Sequence, residues 1–148
     1  MDQPSANPQR SYTRGSQDQA LLAMTIGQRF DQTVAQYPDG EALVVRHQQL
    51  RYSWRQLADA VDEQARALLA LGLQTGDRLG IWAPNCAQWC ITQFATAKIG
   101  VILVNINPAY RSSELEYVLK QSGCQWLVCA GASKTSNYHA MLQTLAPV

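Results

Sequence analysis

Residues 105–110, Asn-Ile-Asn-Pro-Ala-Tyr, carry side chains suited to binding a ligand. They follow a short apolar run, and Pro108 biases Asn107 toward an extended backbone. If that run is a parallel strand, the loop lies at the strand's carboxyl end, where open α/β sheets place ligands. Tyr110 would offer a flat ring and a hydroxyl there. The same pattern fits a rigid connector with Tyr110 half-buried, and the sequence leaves both interpretations open.

A second short segment, residues 133–136, reads Ser-Lys-Thr-Ser. Hydroxyls, backbone amides and the ammonium group of Lys134 are all groups that bind phosphate. The segment therefore has the composition of an anion site. It is equally typical of a surface loop, so the residue types alone do not decide.

Patterns for other chemistries are missing from the sequence. It has no Gly-x-x-x-x-Gly-Lys-Ser/Thr loop and no Gly-x-Gly-x-x-Gly motif. Gly72, Gly76 and Gly80 recur every four residues, but they flank a helix exit and a strand, not a strand-to-helix turn. His47 falls in a predicted hairpin turn and His139 in a predicted helix, and neither has an activated nucleophile nearby. We therefore predict no catalytic residue from the pattern.

The composition is that of one globular domain: 148 residues, 47% hydrophobic and 16% charged, with a net charge of +1. This charge gives no reason to expect nucleic acid or an anionic membrane as a partner. No apolar run approaches the ~18 residues of a transmembrane segment. The first residues resemble neither a secretory signal nor a mitochondrial leader, so we expect a cytoplasmic protein. None of the four cysteines is spaced as Cys-x-x-Cys, which favours small core residues over a metal site.

The first half of the chain predicts a flexible arm, two helices and a hairpin. Residues 1–20 are rich in Gln, Ser and Pro and are expected to form the arm, with residues 21–148 ordered. Thr25 and Ser53 each have a glutamine three residues later, which is the capping-box pattern of a helix start. Between these helices, residues 42–46 and 50–53 alternate as two short strands.

The second half predicts an α/β fold, with a parallel βαβαβ sheet and flanking helices. The expected strands are residues 78–83, 101–104 and 126–129, separated by a helix over 86–99 and one capped by Ser113. Strands separated by helices need crossover connections and so pair in parallel. The helix over 86–99 is apolar on most sides, with a thin polar stripe that includes Thr92 and Thr96. Since such a helix is buried on most sides, it indicates part of a larger body.

Several stretches, in order, resemble the AMP-forming acyl-CoA synthetases of the adenylate-forming ligase superfamily. Residues 51–57 are similar to the family's first core motif and residues 98–111 to its second. The supporting matches are residues 25–31, 41–45, 76–85, 114–119 and 123–124. Ser11-Tyr12, Leu21-Leu22 and Val45-x-His47 resemble the medium-chain branch, and the resemblance covers about residues 11–145.

The resemblance implies a parent enzyme that binds ATP with Mg²⁺, joins a fatty acid to AMP and passes the acyl group to coenzyme A. The family's ATP loop and catalytic lysine lie downstream, so the resemblance assigns no catalytic and no metal-binding residue here. It places the coenzyme A side of the site at Pro108, Ala109 and Tyr110 by motif, and at Lys134 by position.

We therefore expect this chain to be part of a larger N-terminal domain of an adenylate-forming enzyme. Residues 21–148 would then form an incomplete subdomain that is inactive alone. Fatty acid, ATP and coenzyme A are the expected partners of the parent, and a homodimer is possible through apolar surface exposed in the isolated piece. Two alternatives belong to other classes. One is a self-contained α/β module that binds an acyl or nucleotide ligand at residues 107–110 without chemistry. The other is a scaffold half that assembles with a separately made partner.

Overall fold

The computed structural model describes residues 15–16, 18, 20–133 and 136–145. Most of the predicted arm, residues 1–20, lies outside these residues, as do Lys134 and Thr135. The flexibility of the arm therefore stays a prediction. Leu21 and Leu22, which precede the first helix, are both exposed.

The N-terminal half contains two capped helices and a hairpin, as predicted. In chain order these are α1 (Ile26–Gln36), β1 (Glu41–Val45), β2 (Leu50–Ser53) and α2 (Trp54–Ala70). The Oγ1 of Thr25 accepts a hydrogen bond from the amide of Gln28 at 3.1 Å, and the Oγ of Ser53 accepts one from Gln56 at 3.2 Å. Each glutamine side chain bonds back to the cap amide, so both predicted capping boxes are confirmed.

The C-terminal half contains the parallel sheet. Its elements are β3 (Arg78–Trp82), α3 (Ala87–Ile99), β4 (Ile102–Ile106), α4 (Ser112–Ser122), β5 (Trp126–Cys129), β6 (Ala132–Ser133), β7 (Ser136–Asn137) and α5 (Tyr138–Leu145). The sheet order is β4-β3-β5 with both pairings parallel, so β3 lies in the middle. The predicted fold class, α/β with flanking helices, is confirmed.

The sheet separates two hydrophobic cores. On one face, Leu79 of β3 packs with α1, α2 and α3 around Phe30, Val61 and Ile91. On the other face, Trp82 packs with α4 and α5 in a smaller core. Neighbouring strand residues alternate between the cores because successive side chains leave a strand on opposite sides. The helices α3 and α4 therefore cover opposite faces of the sheet.

Two predicted boundaries are wrong. The strand β4 extends two residues beyond its predicted end at Val104, because Asn105 and Ile106 continue the parallel register against β3. The helix α4 begins at Ser112 with Arg111 as its N-cap, so Ser113 is not the cap. The backbone amide of Arg111 donates to the carboxylate of Glu114 at 2.7 Å, which satisfies the amide at this helix start.

Two residues of the thin polar stripe of α3 are buried, in line with the prediction that this helix is enclosed on most sides. Thr92 and Thr96 are 2% and 1% exposed. The hydroxyl of Thr96 donates to the carbonyl of Thr92 at 2.9 Å, so it needs no water. Because this hydrogen bond satisfies the hydroxyl donor, Thr96 can be buried without an unpaired polar group. The helix α3 is therefore more deeply enclosed than its polar residues suggest.

Lys98 joins three helices. Its ammonium donates to Asp31 of α1 at 2.8 Å and to Asp62 of α2. Asp62 and Arg66 are four residues apart on α2, a spacing that favours an ion pair within one helix, but among the described residues the ion-pair partner of Asp62 is Lys98. The contact across helices replaces the local one.

Candidate functional site

A shallow cavity lies outside the carboxyl ends of β3 and β4. These adjacent strands are followed by helices that leave toward opposite faces of the sheet. Such a switch between neighbouring strands opens a crevice at their carboxyl ends, which is where ligands bind in open α/β sheets. The cavity has a volume of about 310 Å³ and is lined by Ala83, Asn85, Trp89, Asn105, Ile106, Asn107 and Pro108. The loop singled out from the sequence thus borders a cavity.

Asn107 builds the turn of this loop. Its side-chain oxygen accepts a hydrogen bond from the amide of Ala109 at 2.9 Å, and its carbonyl accepts one from the amide of Tyr110 at 3.0 Å. Asparagine side chains favour this arrangement because they replace a backbone acceptor two residues from the donor. The loop therefore has one defined course.

Two buried aromatic residues hold the loop from inside the smaller core. The indole Nε1 of Trp82 donates to the carbonyl of Asn107 at 3.1 Å. The hydroxyl of Tyr138 donates to the carbonyl of Pro108 at 2.6 Å. The two rings stack on each other with centroids 3.7 Å apart and planes 14° apart. Consecutive loop carbonyls are thus bound by two side chains that also bind each other.

The outward side of the loop is small and accessible. Ala109 is exposed, while Pro108 and Tyr110 are half-buried. Tyr110 also lines a second cavity of about 450 Å³ with Ser113, Glu114, Tyr117 and Val118. Tyr110 is half-buried, as the connector interpretation expects, and the loop also lies between two cavities, as the ligand-binding interpretation expects. Rigidity and ligand binding are therefore compatible at this position.

Arg111 connects this loop with the second candidate segment. Its guanidinium donates to the hydroxyl of Ser136 at 2.9 Å, and Ser136 is 8% exposed. Ser136 pairs with Ser133 in the β6–β7 hairpin. Lys134, between them, lies outside the described residues. The permanently charged guanidinium of Arg111 therefore lies at β7, the strand that begins at Ser136, two residues after Lys134 in the sequence.

Nothing in the sequence pattern singles out Arg111, Trp82 or Tyr138 for the site. Arg111 follows Tyr110 directly, which is a signal only once the loop is known to border a cavity. Trp82 is completely buried, and its hydrogen bond to the carbonyl of Asn107 cannot be foreseen from its position in the sequence. Tyr138 contacts Pro108 from 30 residues away. Its role depends on the packing of α5 against the sheet.

The cysteines do not form a reactive or metal-binding group in the described part of the chain. No group of three or more His, Cys, Asp or Glu residues there could hold a metal ion. All four thiols are free, and Cys129 is exposed, which corrects its predicted place in the core. Partial burial and the neighbouring Cys86 raise the pKa of Cys90, and desolvation by the atoms around the thiol raises the pKa of Cys129 even though that residue as a whole is exposed. A raised pKa lowers the thiolate fraction and hence the reactivity of both groups.

The chain is similar to proteins of one enzyme family. Residues 30–147 match the family described as AMP-binding enzyme. The chain is 46% identical over 137 residues, 93% of its length, to the medium-chain acyl-CoA ligase ACSF2, mitochondrial, of Mus musculus, and 45% identical over the same length to that of Homo sapiens. It spans 22% of the length of each of these relatives.

A solved structure has the same fold. The inhibitor-bound N-terminal domain of FACL13 from Mycobacterium tuberculosis superposes with a TM-score of 0.74 at 24% identity, covering 81% of this chain and 29% of that domain. At this identity the likeness establishes the fold alone. It agrees with the predicted α/β architecture.

The predicted cytoplasmic location is wrong. The mouse and human relatives are both named mitochondrial. The prediction depended on the residue types at the start of the sequence. Those residues do not decide the compartment, because a targeting segment is separate from the folded domain. The chain also spans only 22% of the length of these relatives. Among the described residues, no helix combines the length and apolar character needed to cross a bilayer.

Proposed function

This chain belongs to the AMP-binding enzyme family, and on that premise we propose that it is the N-terminal part of an AMP-forming ligase that joins a medium-chain fatty acid to coenzyme A. The parent enzyme activates the acid with ATP and Mg²⁺ to an acyl adenylate, releasing pyrophosphate. It then transfers the acyl group to the thiol of coenzyme A. Similarity to medium-chain ligases over 93% of the chain supports this substrate class.

The observation that carries the proposal is the loop at residues 107–110, which Trp82 and Tyr138 hold beside the cavity at the carboxyl ends of β3 and β4. Pro108, Ala109 and Tyr110 are proposed to contact coenzyme A. Ala109 is exposed and carries only a methyl group, so an extended amide chain has room to pass close to the backbone. The ring of Tyr110, half-buried between two cavities, offers an apolar surface beside it.

Lys134 is proposed as a second contact, to a phosphate group of coenzyme A. The support is electrostatic. Arg111 is bonded to Ser136, so a guanidinium accompanies the segment that contains Lys134. Two cations on neighbouring segments favour a ligand with several negative charges.

ATP and Mg²⁺ are assigned to residues outside this chain. The described residues offer no cluster of carboxylate, imidazole or thiolate side chains for a metal ion. Residues 21–148 are accordingly proposed as an incomplete part of a larger domain, inactive alone. The chain holds the coenzyme A side of the site, and the bound coenzyme supplies the thiol that accepts the acyl group.

One further property of the parent and one of the isolated chain are proposed. A mitochondrial location is supported by the names of the mammalian relatives. Self-association of the isolated chain is supported by exposed apolar side chains at the end of α2, where Leu69 and Leu71 are 50% and 65% exposed. Apolar side chains that project into water favour contact with a second copy or with another part of the parent.

The test compares the protein encoded by the complete reading frame with the 148-residue chain. Each is assayed for octanoate-dependent exchange of pyrophosphate into ATP and for thioester formation with coenzyme A, against a control without acid. We expect both activities from the complete protein and neither from the chain. Acid-dependent exchange by the chain alone would place an ATP site within these residues. A folded complete protein without exchange would refute the ligase assignment.

A further inference from the structure

The geometry points to Trp82 and Tyr138 as positioning residues for coenzyme A, which act through the loop and do not touch the ligand. This inference rests on the proposed function, since it concerns the same loop. Neither residue is accessible to a ligand, because both are completely buried. Their effect on coenzyme A must therefore pass through the carbonyls of Asn107 and Pro108.

The two hydrogen bonds fix the loop from behind. The carbonyl of Asn107 accepts from Trp82 and from Tyr110, and the carbonyl of Pro108 accepts from Tyr138. In a short loop outside helix and strand, fixing two consecutive carbonyls fixes the peptide planes on both sides of Pro108. The exposed backbone at Ala109 is thereby presented in one orientation.

Tyr138 also connects the two candidate contact segments. Its amide donates to the carbonyl of Gly131 at 3.1 Å, next to the Ala132–Asn137 pair at the open end of the β6–β7 hairpin. Its hydroxyl reaches Pro108 in the other segment. One residue thus sets the spacing between the loop at residues 107–110 and the base of the hairpin. A ligand that contacts both segments depends on that spacing.

Positioning by these residues should affect only one half of the reaction. Formation of the acyl adenylate does not require coenzyme A, whereas transfer to the thiol does. Loosening the loop should therefore raise the KM for coenzyme A and leave adenylate formation intact. A residue that merely stabilises the fold would lower both half-reactions together.

The experiment uses the protein from the complete reading frame with the substitution Tyr138→Phe, which removes one hydroxyl and keeps the stacked ring. We expect the KM for coenzyme A to rise about tenfold, the size of one lost buried hydrogen bond. Octanoate-dependent exchange of pyrophosphate into ATP should stay within about twofold of wild type. The matched control is Tyr52→Phe, a half-buried tyrosine of the hairpin packed in the other core, which should change neither value.

A second variant, Trp82→Phe, removes the other donor and should raise the KM for coenzyme A in the same way. An unchanged KM in Tyr138→Phe overturns the inference, as does an equal loss of exchange and thioester formation. Wild-type exchange is measured in parallel. Its absence would overturn the proposed function, whereas normal exchange with an unchanged KM in the variants overturns this inference alone.

Discussion

The ammonium of Lys98 in α3 lies 2.8 Å from the carboxylate of Asp31 in α1, a residue 67 positions earlier in the sequence. The same ammonium bonds to Asp62 of α2. The lysine side chain is only 20% exposed, while those of Asp31 and Asp62 are 55% and 44% exposed. One half-buried cation thus holds three helices together through two carboxylates that face water.

Replacing Lys98 with methionine should destabilise the chain by about 1–2 kcal/mol at pH 7. Two charge-assisted hydrogen bonds are lost, but both carboxylates regain water, which limits the cost. The matched control is Arg51→Met, because Arg51 pairs with Glu41 at the surface with side chains 69% and 55% exposed. That change should cost less than about 0.5 kcal/mol. Urea unfolding of both variants measures the difference, and equal losses would contradict the role given to Lys98.

The contribution of Lys98 should disappear at alkaline pH. Burial lowers the pKa of Lys98, but the hydrogen bonds and charges of Asp31 and Asp62 outweigh it and raise this pKa above its ordinary value. A pKa raised by folding stabilises the folded state fully below the unfolded pKa, about 10.4, and the contribution is lost as pH rises through the folded pKa. The stability difference between wild type and Lys98→Met should be constant from about pH 7 to 9.5 and shrink above about 10.4. A difference that grows over this upper range would show that the sign is wrong.

Gly100 should tolerate alanine less well than Gly123 does. Both have a positive φ close to the left-handed region, +73° and +66°, which costs an alanine about 1 kcal/mol. A Cβ at Gly100 would also lie 2.8 Å from Cγ2 of Thr75, whereas the nearest atom to a Cβ at Gly123 is Nη1 of Arg78 at 3.9 Å, an ordinary contact. We therefore expect Gly100→Ala to lower stability by about 1 kcal/mol more than Gly123→Ala.

Thermal unfolding of the two alanine variants measures this excess. Adding Thr75→Ser to Gly100→Ala removes the clashing methyl group and keeps the hydroxyl that donates to the carbonyl of Ile99. The excess loss should then largely disappear. If it persists, the contact with Thr75 is not its cause.

The two serines near helix starts should differ in their contributions. Ser53 is the N-cap of α2 and accepts a hydrogen bond from Gln56, so Ser53→Ala should cost about 1 kcal/mol. Ser113 lies inside α4, whose N-cap is Arg111, so Ser113→Ala should fall within about ±0.5 kcal/mol. The denaturant midpoints of the two variants measure this difference in stability. An equal loss of stability in Ser113→Ala and Ser53→Ala would support Ser113 as the N-cap of α4, as predicted from the sequence.

Neutralising Arg111 should weaken coenzyme A binding in the complete protein. With Arg111→Gln, the guanidinium near the Lys134 segment is lost, and we expect the KM for coenzyme A to rise about fivefold at low salt. The rise should diminish as ionic strength increases, because salt screens exposed charges. The control is Arg55→Gln, a surface residue paired with Asp39 of the α1–β1 connection. A change in KM of the same size in both variants would indicate a general charge effect.

Much of the fold follows from local signals in the sequence. Thr25 with Gln28 and Ser53 with Gln56 mark two helix starts. Gly100 and Gly123 end two helices in the left-handed conformation that favours glycine. The misplaced end of β4 arises where distant partners decide, whereas the misplaced N-cap of α4 is a local choice between Arg111 with Glu114 and Ser113 with Glu116. Asn105 belongs to β4 because Ile81 pairs with it, which no local propensity reports.

The site follows the same rule. The turn at residues 107–110 is visible in the sequence because Asn107 and Pro108 shape their own backbone. The hydrogen bonds that hold this turn are not visible in the sequence, because Tyr138 reaches Pro108 only after α5 packs against the sheet. Lys98 looks like a residue beside a polar stripe until α1 and α2 supply its carboxylates. Local chemistry locates the loop, and tertiary contacts determine what holds it.

The central position of β3 has a consequence for the nascent chain. β3 is the first strand of the sheet to be synthesised, yet both of its neighbours come later: Leu79 pairs with Leu103 and with Trp126. At ~5–20 residues per second, about 2 to 9 s separate the appearance of Leu79 from that of Trp126 on the ribosome. During that interval an apolar strand with both edges unsatisfied is sheltered only by the helices already made. Leu79 ends in the same hydrophobic core as Val61 of α2, so α2, which is synthesised before β3, is available to cover that face of the strand before its two neighbours appear.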